Sequence, residues 1–501
     1  MAWWLWLLVH VVVWCCAGVV VVLWRLWATR AQIDAPGPPT LPIIGNILQF
    51  RELPLTLRKL RDLHDQYGDL TRFYIGPVLV LMVVHPDDVQ HIMLTSKMVD
   101  RDPFLCHAIQ TIVGDGLLSV NGSQWKTHRK LINPTFHSEL LGRYLEAFHE
   151  GGLYLGERLA RTGGANTEVH PPVTLAALRT VASTIIGLNP DVIIPDALAE
   201  NEISTACRDS MSAIQTIMMR PWLQSKFLVQ LTSTGRRVFK FVQILQNQVM
   251  QCIAIRSAAI EDRPPKKHLN LLEALVKPGG KTMLPVSEVR DELMNVVMAG
   301  TETVAVSISF VLALLALHPE WQDAAHQELR DVFGEGDDYL RAASLADLHS
   351  LRVLESIIKE TLRICPTVPV ISRVASEDLR LPRGRVLVPK GTVLLLVPGI
   401  TQRLPQFYPD PLRFDPSRFL DGRRGEEHAC SYLPFGVGAR SCVGTQYARL
   451  QLKVFLAEIL RRFRFLPHSR WEDLEDASVS ISLHTMQPIR VSCVPLLPSS
   501  T

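Results

Sequence analysis

Residues 291–317 are apolar on nearly every face of a helix. A helix of that kind runs either through a bilayer or through the middle of a large core. Ser287, followed by Glu288, Asp291 and Glu292, supplies a start signal, and His318-Pro319 supplies the stop. Glu302 near the centre, with Asn295 and Thr301, makes a bilayer crossing expensive, so the expectation is a core helix. Such a core takes most of a chain to enclose. From about residue 40 onward no Ser/Gly spacer, long charge block or fixed-period repeat divides this one. Most segments read as amphipathic helix, while 78–84, 385–388 and 394–397 read as short strands beside turn signals. The expected fold is therefore mainly α with a minor β part, a single large domain over residues 43–501. That exceeds the usual domain size, which calls for a large core or a buried cofactor.

Residues 2–24 form a second apolar run, broken only by His10. As a helix it spans about 35 Å, enough for the hydrocarbon layer of a membrane. Trp3, Trp4 and Trp6 near one end and Trp24 and Trp27 near the other suit the two interfaces; Arg25 and Arg30 follow the run, and no Lys or Arg precedes it. That asymmetry puts the rest of the chain in the cytosol. A cleaved signal peptide would have a shorter apolar region with positive charge before it. We therefore expect an uncleaved single-pass anchor at 2–24 and a basic stop-transfer and proline-rich hinge at 25–42. There Pro36, Pro38, Pro39 and Pro42 oppose a helix.

The net charge of +3, without a Lys/Arg-rich tract, gives no argument for nucleic acid. Nine cysteines without a CxxC pair argue against a zinc module and against a disulfide framework. A cysteine with a job here works alone, and the surroundings of Cys442 suggest which one. In the stretch from Phe435 to Gly444, the glycines at 436, 438 and 444 allow tight turns and close approach to a flat ligand. Cys442 stands just before a helix start, where backbone N–H groups favour a thiolate, and Arg440 offers a permanently charged fork for a carboxylate. Together these describe an axial cysteine ligand to haem iron with a propionate contact.

The pattern F-x-x-G-x-R-x-C-x-G resembles the haem-binding signature of the cytochrome P450 monooxygenases, and further motifs follow the order of that family over nearly the whole chain. Glu360-Thr-Leu-Arg363 resembles its E-x-x-R helix, and Arg418 in Phe414-Asp-Pro-Ser-Arg-Phe419 the arginine that joins the pair. These three residues are implied to be structural. Trp125-Lys-Thr-His-Arg129 resembles its W-x-x-x-R helix, and Arg373 its second propionate arginine, while His128 reads as surface or structural. Ala299-Gly-Thr-Glu-Thr303 resembles A-G-x-[D/E]-T. The resemblance implies that Thr303 and Glu302 are the catalytic acid–alcohol pair for proton delivery, and that Gly300 removes bulk near the haem.

The segments 125–137 and 455–461 look most like the family 4 group, especially its insect branches. The resemblance implies a microsomal monooxygenase anchored in the endoplasmic reticulum membrane. Its cofactor would be haem b, held by Cys442 on iron and by Arg440, Trp125, Arg129, Arg373, Phe435 and Gly436. Electrons would come from NADPH-cytochrome P450 reductase, with cytochrome b5 as an optional second donor. Lys126 and Lys130 are candidates for the docking face. The substrate would be an apolar lipid, hormone or xenobiotic, with Phe104, Leu105, Ile112 and Val113 near it. A haem-thiolate isomerase or dehydratase, or a non-enzymatic haem sensor or carrier, are the alternatives; Glu302-Thr303 weighs against the first, and the second would consume no NADPH with reductase and a lipid. Many family 4 members carry a Glu that esterifies a haem methyl where this chain has Ala299, so a non-covalent haem is expected. Val304 and Gln402 are further departures.

Overall fold

The computed structural model describes residues 2–50, 55–96, 98–187, 189–190, 200–220, 223–258, 269–277, 281–383, 386–420 and 428–496. Ten helices frame it: α1 Ala2–Ala28, α2 Pro103–Val113, α3 Gly122–Ile132, α4 Leu145–Ala160, α5 His170–Val181, α6 Glu200–Met219, α7 Ser233–Ala258, α8 Val286–Leu317, α9 Arg352–Ile364 and α10 Thr445–Leu460. Shorter helices and Pro319–Phe333 fill the periphery. The two apolar helices part company by burial. The most apolar window of α8 is 83% buried, and that of α1 is 0% buried. α8 is thus the core helix, packed on α5, α7, α9 and α10, and α1 fits a membrane anchor.

Local chemistry sets these elements. Asp102 caps α2 by accepting from the Phe104 and Leu105 amides, with Pro103 in the first turn. α4 crosses α10 at close range because Gly151 and Gly152 carry no side chain. A Cβ at Gly152 would stand 2.7 Å from Glu458 Cγ, and one at Gly151 would meet Thr180 and Phe455.

The strands are β1 Leu70–Ile75, β2 Val78–Val83, β3 Asn166–Glu168, β4 Ile371–Val374, β5 Val393–Leu396, β6 Phe463–Pro467 and β7 Arg490–Pro495. One sheet has the order β1-β2-β5-β4 and another β3-β7-β6. β2 runs parallel to β5 (Val80 opposite Val393), and β5 antiparallel to β4, where Leu394 opposes Arg373. The expected strands at 78–84 and 394–397 are these. Of the expected 385–388, Arg385 lies outside the described residues, and Leu387–Val388 pairs with Leu379–Arg380.

The proline segment forms no helix, as its composition requires. It is not a free spacer either. The Arg72 amide donates to Pro36 O at 2.8 Å, Tyr74 Oη donates to Ala31 O at 3.0 Å, and Arg30 lies over the Trp27 ring. The hinge is laced along β1.

Candidate functional site

The loop before α10 is closed by backbone bonds. The Cys442 amide donates to Phe435 O at 2.9 Å and the Ser441 amide to Gly438 O at 3.0 Å. Gly438 has φ +78°, and a Cβ there would lie 2.4 Å from Met93 O, so only glycine fits. Cys442 is exposed by surface area, yet its surroundings are those of the interior, and burial pushes its thiol up. A side chain that is both lines an accessible surface inside the fold. The Gly444 amide, the Thr445 hydroxyl, Arg129 and Arg101 pull the other way and are outweighed. The helix start favours the thiolate, as its position suggests, and burial opposes it. A cation held at the sulfur would supply the difference.

Arg129 and Arg101 stand near this sulfur, and Arg101 in turn faces Arg373 and Arg440. Arg440 is buried, lies 4.2 Å over the Trp125 ring, and donates to the Val99 and Val120 carbonyls and to Asn121 Oδ1. Arg373, 3% exposed, donates to its neighbour's carbonyl, Ser372 O. Arg129 donates to Ser441 O at 2.9 Å. Arg101, which sequence reasoning missed, is the fourth. Its acidic neighbours suggest an ordinary surface pair, but Asp102 is occupied in capping α2 and Asp100 accepts from the Gly122 amide. Burial lowers the pKa of all four, with Arg373 brought to about 10 and Arg440 to about 9; Arg129 depresses Arg101 further, Arg101 depresses Arg373, and both Arg101 and Arg373 depress Arg440. Asp100, 3.9 Å from Arg440, is a weak counter-charge. So much interior positive charge without carboxylates is costly. A flat ligand with two carboxylates and a thiolate-binding metal balances it, so the residues present fit haem.

On α8, Val296, Ala299, Gly300 and Thr303 are partly exposed while residues on the other faces of these turns are buried. The spacing i, i+3, i+4, i+7 makes one accessible stripe inside the fold. Thr303 Oγ1 donates to Ala299 O at 2.7 Å. Gly300 has a packing role that the sequence did not suggest. A Cβ there would stand 2.9 Å from Val181 on α5. Glu302 turns off the stripe into the protein, where Oε1 faces His170 Nε2 at 3.2 Å and His484 Nε2 at 3.4 Å. Burial would raise its carboxyl, but His170, His484 and Arg208 together hold it below the ordinary value.

The structural trio assembles as its spacing predicts. Arg363 Nε and Nη2 donate to the two Glu360 oxygens at 2.7 and 2.8 Å, and Arg418 Nε lies 3.5 Å from Glu360 Oε1. Gln402, the departure noted above, links this helix to the cysteine loop. Its amide donates to Leu362 O and Arg363 O, and its Oε1 accepts from the Leu433 amide. His128 is buried between Glu292 and Glu288 and ties α3 to α8, a structural role. Lys126 and Lys130 are exposed on the outer face of α3. Ile112 and Val113 are buried, and Phe104 and Leu105 partly so.

A mostly helical core with an interior cysteine near weakly compensated arginines is compatible with a haem-thiolate protein. The chain matches the family model for cytochrome P450 over residues 35–490 and belongs to that family, which makes it a cytochrome P450 monooxygenase. Cytochrome P450 4V2 of Mus musculus is 32% identical over 476 residues, covering 90% of this chain and 87% of the mouse protein. Cytochrome P450 4c3 of Drosophila melanogaster is 28% identical over 463 residues (88% and 85% covered), and cytochrome P450 4c21 of Blattella germanica 28% over 453 (87% and 89%). The relatives carry family 4 names, in line with the resemblance read from 125–137 and 455–461.

Proposed function

We propose that the chain holds haem b non-covalently, with Cys442 as the axial ligand of iron. Arg440, Arg373, Arg129, Trp125 and Arg101 would hold the propionates, with Phe435 and Gly436 beside the ring. The single observation that carries this reading is the cluster of four buried and partly buried arginines at an accessible interior sulfur, with Asp100 as a weak counter-charge. Haem, when bound, supplies oxygen activation for insertion into an apolar molecule. The chain's own residues do the rest. The stripe on α8 gives the substrate an apolar wall and excludes water. Thr303 presents a hydroxyl on that stripe, and the Glu302 carboxylate, one residue earlier, passes protons on toward it. Thr303→Ala is expected to keep the haem spectrum while product formed per NADPH falls by about tenfold or more, against the roughly hundredfold or more that a positioned proton donor contributes when nothing replaces it. Unchanged coupling would remove Thr303 from the relay.

The substrate is an apolar lipid, hormone or xenobiotic, reached through the side of the fold that carries Phe104 and Leu105. Ala299 supports non-covalent retention, since it offers no carboxyl to esterify. Acid–ketone extraction is expected to release all haem into the organic phase, and haem left on the polypeptide would contradict this. NADPH-cytochrome P450 reductase, with cytochrome b5 as an optional second donor, supplies electrons across the face bearing Lys126 and Lys130. Charge reversal at both lysines is expected to slow reduction by about tenfold at low salt and little at high salt, by the screening of exposed charge. Equal rates at all salt concentrations would place docking elsewhere. The exposed α1, followed by Arg25 and Arg30, supports a single-pass anchor in the endoplasmic reticulum membrane with the catalytic domain in the cytosol.

A further inference from the structure

Glu302 is reached from outside the protein by a route that the acid–alcohol motif does not contain. His170 on α5 and His484, in the short strand Leu483–His484, both face its Oε1. Its other oxygen, Oε2, is buried without a hydrogen-bond partner. Beyond the histidines lies a narrow cleft of about 20 Å³, room for about one water, whose lining includes both rings, Glu168, Arg208 and Thr485. Glu168 and Arg208 form an ion pair at 3.3 Å and are partly exposed, so the cleft communicates with solvent. The rings are oriented: His170 Nδ1 bonds Ser204 Oγ at 3.0 Å, and His484 Nε2 bonds Ser482 Oγ at 2.9 Å.

We propose that His484, seconded by His170, is the inlet through which solvent protons reach Glu302. The inference rests on the relay role of Glu302 and Thr303 proposed above, and neither histidine touches the reacting atoms. A proton from cleft water adds at one ring nitrogen while the other releases one to the carboxylate. No electron moves, and the hydroxide left behind is neutralised by buffer. Burial holds His484 down to about 4, so the ring is neutral and able to accept and donate in one transfer. Among the described residues, the charged or titratable groups felt by this pair are His170, Arg208 and the Cys207 thiol, which burial holds protonated. The three ligand atoms lie within 4.8 Å of one another, a spacing that a divalent cation also accepts. The positive field of Arg208 at the same carboxylate opposes a doubly charged cation more strongly than it opposes a proton.

The test uses the full-length haem protein with reductase, NADPH and a turned-over substrate. His484→Gln preserves shape and hydrogen bonding but carries no proton, and the reduced carbon monoxide spectrum reports that it is folded. Product per NADPH is expected to fall by about fivefold or more, part of the full effect of a positioned proton-transfer group, and the solvent deuterium isotope effect on product formation to rise. His170→Gln is the second variant, with the same expectation, should the first lose its spectrum. Coupling and isotope effect equal to those of the unsubstituted protein overturn the inlet. Glu302→Gln separates the two levels. If it uncouples while the histidine variants do not, the inlet alone fails; if it too leaves coupling unchanged, the relay reading fails.

Discussion

Cys442→Ala abolishes the red-shifted Soret band of the reduced carbon monoxide complex, and NADPH-dependent product formation goes with it. The expected loss is complete, because no other cysteine among the described residues can take over. Cys106, Cys207, Cys252, Cys365, Cys430 and Cys493 are buried, and Cys15 and Cys16 lie on α1. Burial of Cys430 is total and pushes its thiol up to about 11, so it is an inert thiol and the proper control. Cys430→Ala is expected to keep the band. Thiolate ligation is what shifts the band, so a spectrum retained in Cys442→Ala would place the ligand elsewhere and remove the basis of the site.

The parts of this molecule legible in the sequence are those where a local pattern carries the constraint. α8 announces itself because an all-round apolar helix with one central Glu has no stable place except a core. The strands at 78–84 and 394–397 are continuous β-branched and aliphatic runs, as a strand buried on both faces requires. The E-x-x-R pair needs only helical spacing. Contacts between distant segments are not legible in this way. His170 stands 132 positions before Glu302, and neither it nor His484 belongs to a spaced motif. Arg101 was hidden by flanking acids whose real partners are backbone amides. Gln402 read as a departure, yet its three hydrogen bonds hold the helix of Glu360 to the chain before the cysteine loop. Gly300 was read as clearance for a ligand, and the close approach of Val181 adds a helix-packing role that the sequence does not display. The thiolate at Cys442 was read from the helix start. That local field is real, and burial, which the sequence does not display, opposes it. In each case the sequence displays the group and not the burial or the partner that decides its role.

Glu360→Ala has the second large effect, on folding and haem incorporation and not on chemistry. Glu360 and Arg363 are both 0% exposed, and the carboxylate also accepts the Asp415 amide at 2.9 Å. Removing it strands the Arg363 guanidinium, whose remaining bonds go to Gln402 O and Arg413 O. Breaking one partner of a buried pair costs about 3–5 kcal/mol, a large share of the about 5–15 kcal/mol that holds a domain together. Little spectrally intact protein is therefore expected, and what is recovered should melt well below the unsubstituted protein when thermal unfolding is followed at the Soret band. Replacing both residues by leucine removes the stranded charge as well as the pair, so the double variant is expected to lose less stability than Glu360→Ala. Arg418→Ala is expected to cost less still, since its side chain is 13% exposed and lies 3.5 Å from Glu360. A Glu360→Ala protein within about 1 kcal/mol of the unsubstituted one would show that the pair is dispensable and that the cysteine loop is held by other contacts, Gln402 foremost.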